Sequence, residues 1–419
     1  MSAPDRPRVV VTGIGIVCGL GVGREACFSA AVAGRSAGGP ITHFDTTGFG
    51  ATIACEARDF RVEDFMDHRS ARRADRITHL GMAAARLAVD DTDLVIEGEG
   101  RRAGVIIGAG TGGNAVREEQ HRVMRERGPD RVSPFTIPHS ISNMPCAAVA
   151  MEFGMRGPVF ATVTACAAGT DAIGTAASII RRGDADVMLA GGADAMITPL
   201  WVAAFDAMRV LSHRSDSPTT AARPFDATRD GFLMGEGAAV LVLETWEHAE
   251  ARGAEIVCEL AGYGASADAH HLTNPDPSGH AQARAMRAAM NDAGVGPHQI
   301  GYINAHGGAS QPGDPSEVAA IRVALGDQIA AQTPVSSTKS VHGHCMGATG
   351  AIETALTALA LRDGVLPPTI NLNDVDPACV GVDHIANTAR TVEIDVALAM
   401  NNGLGGQNAA LVMRRMSAE

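Results

Sequence analysis

Short apolar runs that resemble strands alternate with helix-like stretches of small residues, and this alternation limits the fold more than any other feature. Strand-like runs at residues 9–12, 103–107 and 187–190 are separated by predicted helices such as 26–33 and 115–127. Strands that alternate with helices form a largely parallel sheet with helices packed on its faces. The sequence therefore predicts an α/β protein.

The alternation continues into the second half of the chain after a short charged helix. That helix is predicted at residues 245–253, and a new strand follows it at 256–261. A chain of 419 residues is long enough for two domains or for one large duplicated one. We therefore expect one half at residues 1–254 and the other at 255–419. The remaining predicted strands and helices lie at 238–243, 301–304, 334–338, 350–361, 396–400 and 409–413.

A short internal repeat indicates that the two halves are related. Residues 172–176 read Ala-Ile-Gly-Thr-Ala, and residues 351–355 read Ala-Ile-Glu-Thr-Ala. Both lie on predicted helices that follow a short strand and a glycine-containing turn. A repeat in the same setting indicates duplication. Two such halves would meet across a pseudo-twofold axis, with Cys166 opposite Lys339 and His344.

Composition excludes several classes of protein. The net charge of −13 argues against non-specific binding to nucleic acid or to anionic membranes. The 8 cysteines include no Cys-x-x-Cys pair, so neither a zinc ribbon nor a secreted disulfide framework is indicated. No uninterrupted apolar run reaches about 18 residues, so no transmembrane helix is predicted. We expect a protein of the reducing cytoplasm.

The stretch at residues 159–176 places a cysteine where a strand turns into a helix. Residues 159–164 are β-branched and aromatic, which predicts a buried strand, and small residues from Ala167 onward predict a helix that ends at Gly183. Cys166 then lies at the helix N-terminus, where free amides and the helix dipole favour the thiolate. The same amides can hold an oxyanion, so Cys166 is a candidate nucleophile.

Further chemistry-bearing residues follow other predicted strands. Lys339 is the only lysine of the chain, which indicates a site that needs a compact ammonium group. His344 lies in the same loop, and His306 lies on a glycine-rich turn after another strand. A third turn, at residues 401–408, is rich in free backbone amides. Ligands of such sheets gather outside the carboxyl ends of the strands, so we expect one site that includes Cys166.

Other interpretations of these residues are weaker. A metal site could use His342, His344 and Cys345, but the sequence supplies no second cluster to complete a tetrahedron, and we assign no metal. The motif at residues 108–113 fits Gly-x-Gly-x-x-Gly, yet the acidic residue that a dinucleotide site requires is absent from the expected place. A papain-like Cys–His hydrolase would not need two histidines and a lysine.

The motifs around these residues resemble those of the elongating, type II β-ketoacyl-(acyl-carrier-protein) synthases, and the resemblance covers nearly the whole chain. It rests on Thr164-Ala-Cys-Ala-Ala-Gly169, the run at residues 183–194, Arg223-Pro-Phe-Asp226, Gly235-Glu-Gly-Ala-Ala-Val240, Asn304-Ala-His-Gly307 and Ser337-Thr-Lys-Ser340. It implies a thiolase-like fold of five αβαβα layers, built from two pseudo-symmetric halves. It also implies a dimer through the strand before the nucleophile.

The resemblance implies a reaction and a role for each residue. Cys166 would take an acyl chain from acyl-carrier protein, and malonyl-carrier protein would then decarboxylate and extend that chain by two carbons. His306 and His344 would stabilise the enolate. Lys339 and Glu353 would form a supporting network, with Lys339 holding His344 in place. The substrates would be carried on phosphopantetheine, with no cofactor bound by the enzyme.

The expected oxyanion hole and pocket contain departures from the family pattern. The amides of Cys166 and Leu404 match the family's oxyanion hole. Residues 400–406 read Met-Asn-Asn-Gly-Leu-Gly-Gly where relatives read Asn-Ser-Phe-Gly-Phe-Gly-Gly, so Asn402 and Leu404 replace two aromatics. The pocket residues expected from the resemblance are Thr111, Gly308, Ser310, Asn402 and Leu404. These changes favour a polar or unusual acyl chain, as in specialised polyketide, polyene or unusual fatty acid biosynthesis.

The resemblance also implies acyl-carrier protein as a partner. Carrier proteins are acidic, so docking would need a local basic patch. Arg69, Arg72, Arg73 and Arg76 have the spacing of one helix face and are candidates for that patch, although a solvated surface face explains them equally well.

Three alternative functions stay open at this point. The chain could be the catalytic half of a heterodimer with a chain-length-factor-like partner rather than a homodimer. It could be such a non-catalytic partner itself, although those relatives characteristically lack the cysteine. Thiolase-like chemistry on coenzyme A esters would favour a second cysteine acting as an acid in the C-terminal half, whereas the set of His306, Lys339 and His344 argues otherwise.

Overall fold

Strand β1 (Val9–Cys18) lies near the middle of the sheet in the computed structural model, which describes residues 6–96, 98 and 100–416. All ten of its residues are buried. A continuous apolar run is typical of a strand covered on both faces. The helix Arg76–Asp90 crosses one face so closely that a Cβ at Gly15 would lie 1.9 Å from the carbonyl oxygen of Ala84. Only glycine permits that approach.

The elements alternate along the chain as the sequence predicts. The strands are β1, β2 (Gly21–Val22), β3 (Gly39–Pro40), β4 (Ile53–Ala54), β5 (Ala103–Gly108), β6 (Val159–Phe160), β7 (Val187–Asp194), β8 (Gly237–Thr245), β9 (Cys258–Ala267), β10 (Tyr302–Asn304), β11 (Pro334–Ser336), β12 (Val365–Leu366), β13 (Asp383–His384), β14 (Arg390–Thr391), β15 (Val396–Asn402) and β16 (Gln407–Arg414). The helices are α1 (Arg24–Val32), α2 (His68–Ala71), α3 (Arg76–Asp90), α4 (Asn114–Arg127), α5 (Thr136–Ser140), α6 (Met144–Phe153), α7 (Ala168–Arg181), α8 (Pro199–Ala207), α9 (Trp246–Ala251), α10 (His280–Ala293), α11 (Gly313–Leu325), α12 (Asp327–Ala330), α13 (Lys339–His342) and α14 (Thr349–Asp363).

The strand order reveals a duplication. It is β6-β5-β7-β8-β1 in the first half and β11-β10-β15-β16-β9 in the second. In each half the first two pairs are parallel and the last two are antiparallel. Strands β1 and β9 join the halves by antiparallel pairing. The sheet is therefore mixed, and the expectation of a largely parallel sheet is wrong because β8 and β16 each turn back against the preceding strand.

Alternate residues of each strand enter different cores, which builds five layers. Val240 and Val242 of β8 pack with α3 in an outer core, whereas Leu241 faces a central core. In the second half, Val412 of β16 packs toward α10 and α11, and Leu411 faces the same central core. The central core contains α7 and α14. This period of two places the helix pair α7 and α14 between the two half-sheets, in an αβαβα arrangement.

Helices α7 and α14 begin in equivalent ways on either side of the pseudo-twofold axis. Each follows a single 3-10 turn, and the first residues of those turns, Ala165 and Met346, have φ angles of 50° and 49°. This equivalence offsets the halves by 181 positions, the difference between 346 and 165. The sequence repeat has an offset of 179, from 351 minus 172, so it is two residues out of register. The two helices nevertheless pack so tightly that a Cβ at Gly169 would lie 2.8 Å from the amide nitrogen of Ala351.

The predicted buried strand at residues 159–164 is wrong in both length and burial. Only Val159 and Phe160 pair, and they pair with β5 at the edge of the sheet. Val159, Phe160 and Val163 are 36%, 40% and 55% exposed. Cover by another chain would explain their apolar character, since an uncovered strand edge of this kind invites pairing.

The halves share one continuous interior. The expected boundary between residues 254 and 255 falls in the connection between α9 and β9, and it stays a prediction. Apolar residues from both halves meet in the central core, with Ile173 of α7 packed in the same cluster as Ile352 of α14. Within the part of the chain that the structure describes, no helix has the length and apolar character needed to cross a membrane.

Candidate active site

Cys166 lies on a tight turn between β6 and α7. The 3-10 turn Ala165–Ala167 precedes the helix, and the left-handed φ of Ala165 is unusual for a residue with a side chain. The hydroxyl of Thr162 donates to the carbonyl oxygen of Ala168 at 2.7 Å, which fixes the turn. Cys166 is thereby left half-buried and lines a cavity of about 280 Å³.

The environment of Cys166 favours the neutral thiol. Burial raises the pKa of its thiol to about 11, while the charge of Lys339 and the backbone amide of Leu404 act in the opposite direction. Desolvation therefore opposes the thiolate expected at the helix N-terminus, and it outweighs the nearby positive charge and amides. A nucleophilic role for Cys166 would require the thiol to lose its proton during attack.

His306 follows β10 and presents one defined ring nitrogen to the cavity. Its Nδ1 accepts a hydrogen bond from the backbone amide of Asn402 at 3.3 Å and lies 3.5 Å from Nδ2 of Asn401. Because Nδ1 accepts, the proton of the neutral ring is on Nε2. Glu317 fixes the main chain below the ring by accepting from the amides of His306 and Gly307, both at 2.6 Å.

His344 is held in the same tautomer by different partners. Its Nδ1 accepts from the amide of Met346 at 3.1 Å and from the hydroxyl of Thr349 at 3.0 Å. The ring centroid lies 5.4 Å from that of His306, with the two planes at 82°. Burial, followed by the charge of Lys339, holds the pKa of both imidazoles well below the usual value. Both rings are therefore neutral Nε2–H donors at the same cavity.

Lys339 and Glu353 form a buried ion pair behind the histidines. Lys339 Nζ donates to Glu353 Oε1 at 2.7 Å, and Asn401 Nδ2 donates to Glu353 Oε2 at 2.6 Å. Burial raises the pKa of Glu353, and both donors oppose that shift. The hydrogen bonds to His344 come from Met346 and Thr349. These two residues fix the orientation of the ring that Lys339 was expected to fix, and Lys339 acts on His344 through its charge.

The cavity brings together most of the residues that the sequence assigns to the site. Cys166, His306 and His344 line it with the pocket residues Gly308, Ser310, Asn402 and Leu404. Leu404 is 41% exposed, and its amide lies close enough to Cys166 to influence the thiol. Thr111 lies outside the lining of this cavity. Its hydroxyl instead exchanges hydrogen bonds with the side chain of Asn114.

Comparison with known proteins identifies the family. The family model for the N-terminal domain of beta-ketoacyl synthases matches residues 6–249, and the model for the C-terminal domain matches residues 257–373. The chain belongs to the β-ketoacyl synthase family. It is 45% identical to the 3-oxoacyl-[acyl-carrier-protein] synthase 2 of Vibrio cholerae, over 98% of this chain and 100% of the relative.

Solved structures of ketosynthases are also similar to it. The ishigamide ketosynthase/chain length factor matches with a TM-score of 0.91 and 36% identity, over 98% of this chain and 100% of that chain. A ketosynthase in complex with a type II polyketide acyl-carrier protein matches with a TM-score of 0.90 and 33% identity, with the same coverage. The thiolase-like ketosynthase fold predicted from the motifs is thereby confirmed, and the protein is a condensing acyltransferase.

The arginines expected to form one basic helix face in this ketosynthase do not share a helix. Helix α2 ends at Ala71, and α3 begins only after Asp75, whose side chain accepts from the amide of Ile77 as an N-cap. Arg69, Arg72 and Arg73 are exposed, but the guanidinium of Arg76 turns inward to a buried carboxylate, Glu236. The helix-face prediction is wrong because the Asp75 cap interrupts the spacing.

The residues considered for a metal have other partners in the ketosynthase. His342 Nε2 is bonded to the hydroxyl of Thr338 at 3.1 Å, and the thiol of Cys345 lies 3.5 Å from the carbonyl oxygen of Glu236. No group of three or more histidine, cysteine, aspartate or glutamate side chains within residues 6–96, 98 and 100–416 is arranged to hold a metal ion.

Sequence reasoning missed the residues that orient the two histidines. Thr349 and the amide of Met346 fix His344, and Asn401 and Glu317 fix the surroundings of His306. Asn401 lies in the amide-rich turn at residues 401–408. Glu317 lies on α11, the helix that follows the glycine-rich turn of His306. The residue types at Thr349 and Met346 do not indicate a role, since threonines and main-chain amides occur throughout the chain.

Proposed function

We propose that this enzyme is a decarboxylating β-ketoacyl-carrier-protein synthase in which Cys166 carries the growing acyl chain. The observation that supports it most strongly is the pair of neutral Nε2–H donors from His306 and His344 at the cavity that Cys166 lines. Two such donors suit the oxygen of a thioester that becomes negatively charged during decarboxylation.

The first step is transfer of an acyl group to Cys166. The sulfur attacks the carbonyl carbon of an acyl-pantetheine thioester, and the amides of Cys166 and Leu404 hold the oxyanion of the tetrahedral intermediate. The bond from carbon to the pantetheine sulfur then breaks. The proton lost by Cys166 ends on the released pantetheine thiol, so the products are acyl-Cys166 and the free carrier thiol.

The second step forms the new carbon–carbon bond. A malonyl thioester loses its carboxylate as carbon dioxide, and the electron pair of the broken bond moves into an enolate. His306 and His344 donate to the enolate oxygen. The enolate carbon attacks the carbonyl of acyl-Cys166, the intermediate expels the sulfur of Cys166, and a β-ketoacyl thioester longer by two carbons leaves. The expelled thiolate of Cys166 takes a proton from solvent water, because the one it lost in the first step left on the carrier thiol and the anionic malonyl carboxylate brings none.

The buried pair of Lys339 and Glu353 keeps the donors neutral. The ammonium of Lys339 disfavours protonation of both imidazoles, which lowers their pKa values together with burial. Its own charge is balanced by Glu353 at 2.7 Å. A neutral imidazole binds the developing enolate without delivering a full proton that would quench it, so Lys339 supports the carbanion chemistry from behind the rings.

Acyl-carrier protein is the partner that we assign to the basic surface beside α2. Arg69 and Arg72 are exposed there, and Arg73 lies over the ring of Phe135 at 5.5 Å. A protein with a net charge of −13 needs such a local patch to bind an acidic carrier. Arg209, exposed at the cavity mouth, is a further cation for the phosphate of the arm.

Reversal of charge at Arg69 and Arg72 tests this docking surface. We expect the double change to glutamate to raise KM for carrier-bound thioesters by about tenfold or more, because opposite charges become like charges. Kinetics with small pantetheine thioesters should be unaffected, and Arg322→Glu on α11 serves as a control for exposed charge reversal. Equal losses on both kinds of substrate would discard the docking role.

The acyl pocket and the dimer partner are proposed together, because both bear on the pathway. Asn402 lines the cavity and its buried Oδ1 is without a hydrogen-bond partner among the described residues, which suits a polar or unusual acyl chain.

The apolar edge around Val159, Phe160 and Val163 supports dimerisation through β6, with a second copy or a chain-length-factor-like protein. We assign the enzyme to specialised polyketide or unusual fatty acid synthesis.

Intact-mass analysis of the native complex tests that assignment. After purification under native conditions, we expect acyl-Cys166 to carry a polar or unsaturated chain, because the aromatic residues of the family pattern are absent from positions 402 and 404. The mass of the complex distinguishes two copies of this chain from a heterodimer. A preference for saturated medium chains would contradict the specialised pathway, with the Cys166→Ala protein as the control for adducts elsewhere.

A further inference from the structure

Glu236 is a buried carboxylate that none of the chemical steps uses. Its side chain is 1% exposed, and both of its oxygens are occupied. Arg76 donates from Nε to Oε2 and from Nη2 to Oε1, each at 2.6 Å, in a bidentate pair. His43 Nε2 at 2.9 Å and the amide of Ala57 at 3.0 Å complete the set around Oε1.

This cluster keeps the carboxylate charged despite its burial. Burial alone would raise the pKa of Glu236, but hydrogen bonds from Arg76 and His43 hold that pKa at about 2. A paired charge of this kind is strongly destabilised when one partner is removed, since the other is then buried without compensation. The position of the main chain at Glu236 therefore depends on Arg76.

The main chain beside Glu236 holds His344 on both sides. The amide of His344 donates to the carbonyl oxygen of Leu233 at 2.7 Å, and the amide of Gly235 donates to the carbonyl oxygen of His344 at 2.8 Å. Met234 and His344 form an isolated parallel bridge. The segment is also tied to Cys55, which donates from its amide to Met234 and accepts from the amide of Glu236. Displacement of residues 233–236 would therefore displace His344.

Arg76 reaches this segment from the surface where carrier docking is proposed. It is the first residue of α3, directly after the Asp75 cap, and lies four residues from the exposed Arg72. Its guanidinium is turned inward to Glu236 and lies 5.7 Å from the ring centroid of Phe60. The same short stretch thus supplies exposed cations to the surface and one inward cation to the segment that holds His344.

We propose that Arg76 and Glu236 are positioning residues for His344, rather than parts of the docking patch. The bidentate pair anchors residues 233–236, and those residues place the Nε2–H of His344 where the malonyl thioester oxygen lies during decarboxylation. The inference rests on the proposed function, because it takes His344 as that donor. It does not involve Cys166 or its oxyanion hole, which belong to other elements.

The test separates decarboxylation from acylation in an Arg76→Gln variant. We expect kcat for decarboxylation of a small malonyl pantetheine thioester to fall about 10- to 100-fold, the size of loss that a misplacement of about 1 Å produces. Acylation of Cys166 by a small acyl thioester, followed by intact mass, should stay within about twofold of wild type. Arg76→Lys, which keeps one charge opposite Glu236, should give an intermediate loss and guards against failure of the glutamine variant to fold.

A matched control lies on the same helix. Arg86 pairs with Glu152 at 2.5 Å near the other end of α3, and Arg86→Gln should leave both half-reactions unchanged. A raised KM for malonyl-carrier protein with unchanged decarboxylation of the small thioester would return Arg76 to the docking patch and overturn the proposal. Equal loss of acylation and decarboxylation would also overturn it, as general destabilisation. A wild-type enzyme that forms acyl-Cys166 without ever decarboxylating malonyl thioesters would refute the proposed function itself.

Discussion

Replacement of Cys166 by alanine is expected to abolish condensation while leaving decarboxylation of malonyl thioesters in place. Condensation should fall by about 10⁴-fold or more, since removal of the covalent nucleophile of a serine protease costs on the order of 10⁶-fold in kcat. In the proposed mechanism decarboxylation depends on His306 and His344, whose hydrogen bonds come from Asn402, Met346 and Thr349 and not from the cysteine. The measurements are carbon dioxide release and β-ketoacyl product from the same small thioesters.

A fully buried cysteine away from the cavity provides the control for this experiment. Cys379 is fully buried in the outer core of the second half, and burial raises the pKa of its thiol to about 12. Cys379→Ala should retain both activities. Condensation that survives in the Cys166→Ala enzyme would require another nucleophile. Joint loss of both activities would mean that decarboxylation also depends on Cys166, which contradicts the proposed mechanism.

The convergence of the site could be predicted because neighbouring parallel strands end at one edge of a sheet. Strand β10 pairs in parallel with β11 and with β15, and Asn304 is opposite both Ser336 and Ala399. The loops after these strands carry His306, Lys339 and the amide-rich turn. The sequence shows where strands end, so it also shows which side chains share that edge.

The state of the nucleophile could not be predicted in the same way. A helix N-terminus is visible in the sequence, and its amides lower the pKa of a nearby thiol. The opposing effect is burial, which depends on how elements distant in the sequence pack around the turn, since Cys166 shares its cavity with residues of the second half such as His306 and Leu404. For Cys166 burial is the larger effect, and its pKa rises to about 11.

The basic patch shows the reverse case, in which the local sequence itself contains the signal that separates Arg76 from the other arginines. The spacing of Arg69, Arg72, Arg73 and Arg76 fits one helix only if that helix is continuous. Asp75 stands immediately before the apolar run of α3, where an aspartate commonly caps a helix. That cap starts a new helix and sends Arg76 inward. The partner of Arg76, Glu236, is 160 residues away and no local pattern indicates it.

The edge at β6 marks a limit of a different kind. Residues 159–164 have the composition of a buried strand, yet Val163 is 55% exposed in the isolated chain. The apolar composition of a strand reflects its burial in the assembled protein. The structure of one chain shows only the contacts within that chain. The apolar edge is consistent with the family expectation of a dimer through this strand, which stays a prediction.

Replacement of His344 by alanine should have the opposite effect to Cys166→Ala: it should impair decarboxylation and spare acyl transfer to Cys166. Loss of one donor to the enolate oxygen is expected to lower decarboxylation by about 10²- to 10³-fold, the cost of removing one preorganised oxyanion donor. Formation of acyl-Cys166 should persist, because the oxyanion hole proposed for that step uses the amides of Cys166 and Leu404.

The expected difference between the Cys166 and His344 variants depends on the His344 imidazole acting as a hydrogen-bond donor. A different side chain that also donates can test that role. His344→Gln retains an N–H group near the position of Nε2 and should recover part of the decarboxylation that His344→Ala loses. His384, a half-buried histidine whose ring packs against Phe225, provides the control, and His384→Gln should keep both half-reactions. If His344→Ala instead blocked acylation and spared decarboxylation, the ring would be the base for the thiol, and the neutral-donor mechanism would be wrong. A neutral donor is the outcome that the geometry favours, because Nδ1 already accepts two hydrogen bonds and the nearby ammonium of Lys339 opposes protonation of the ring.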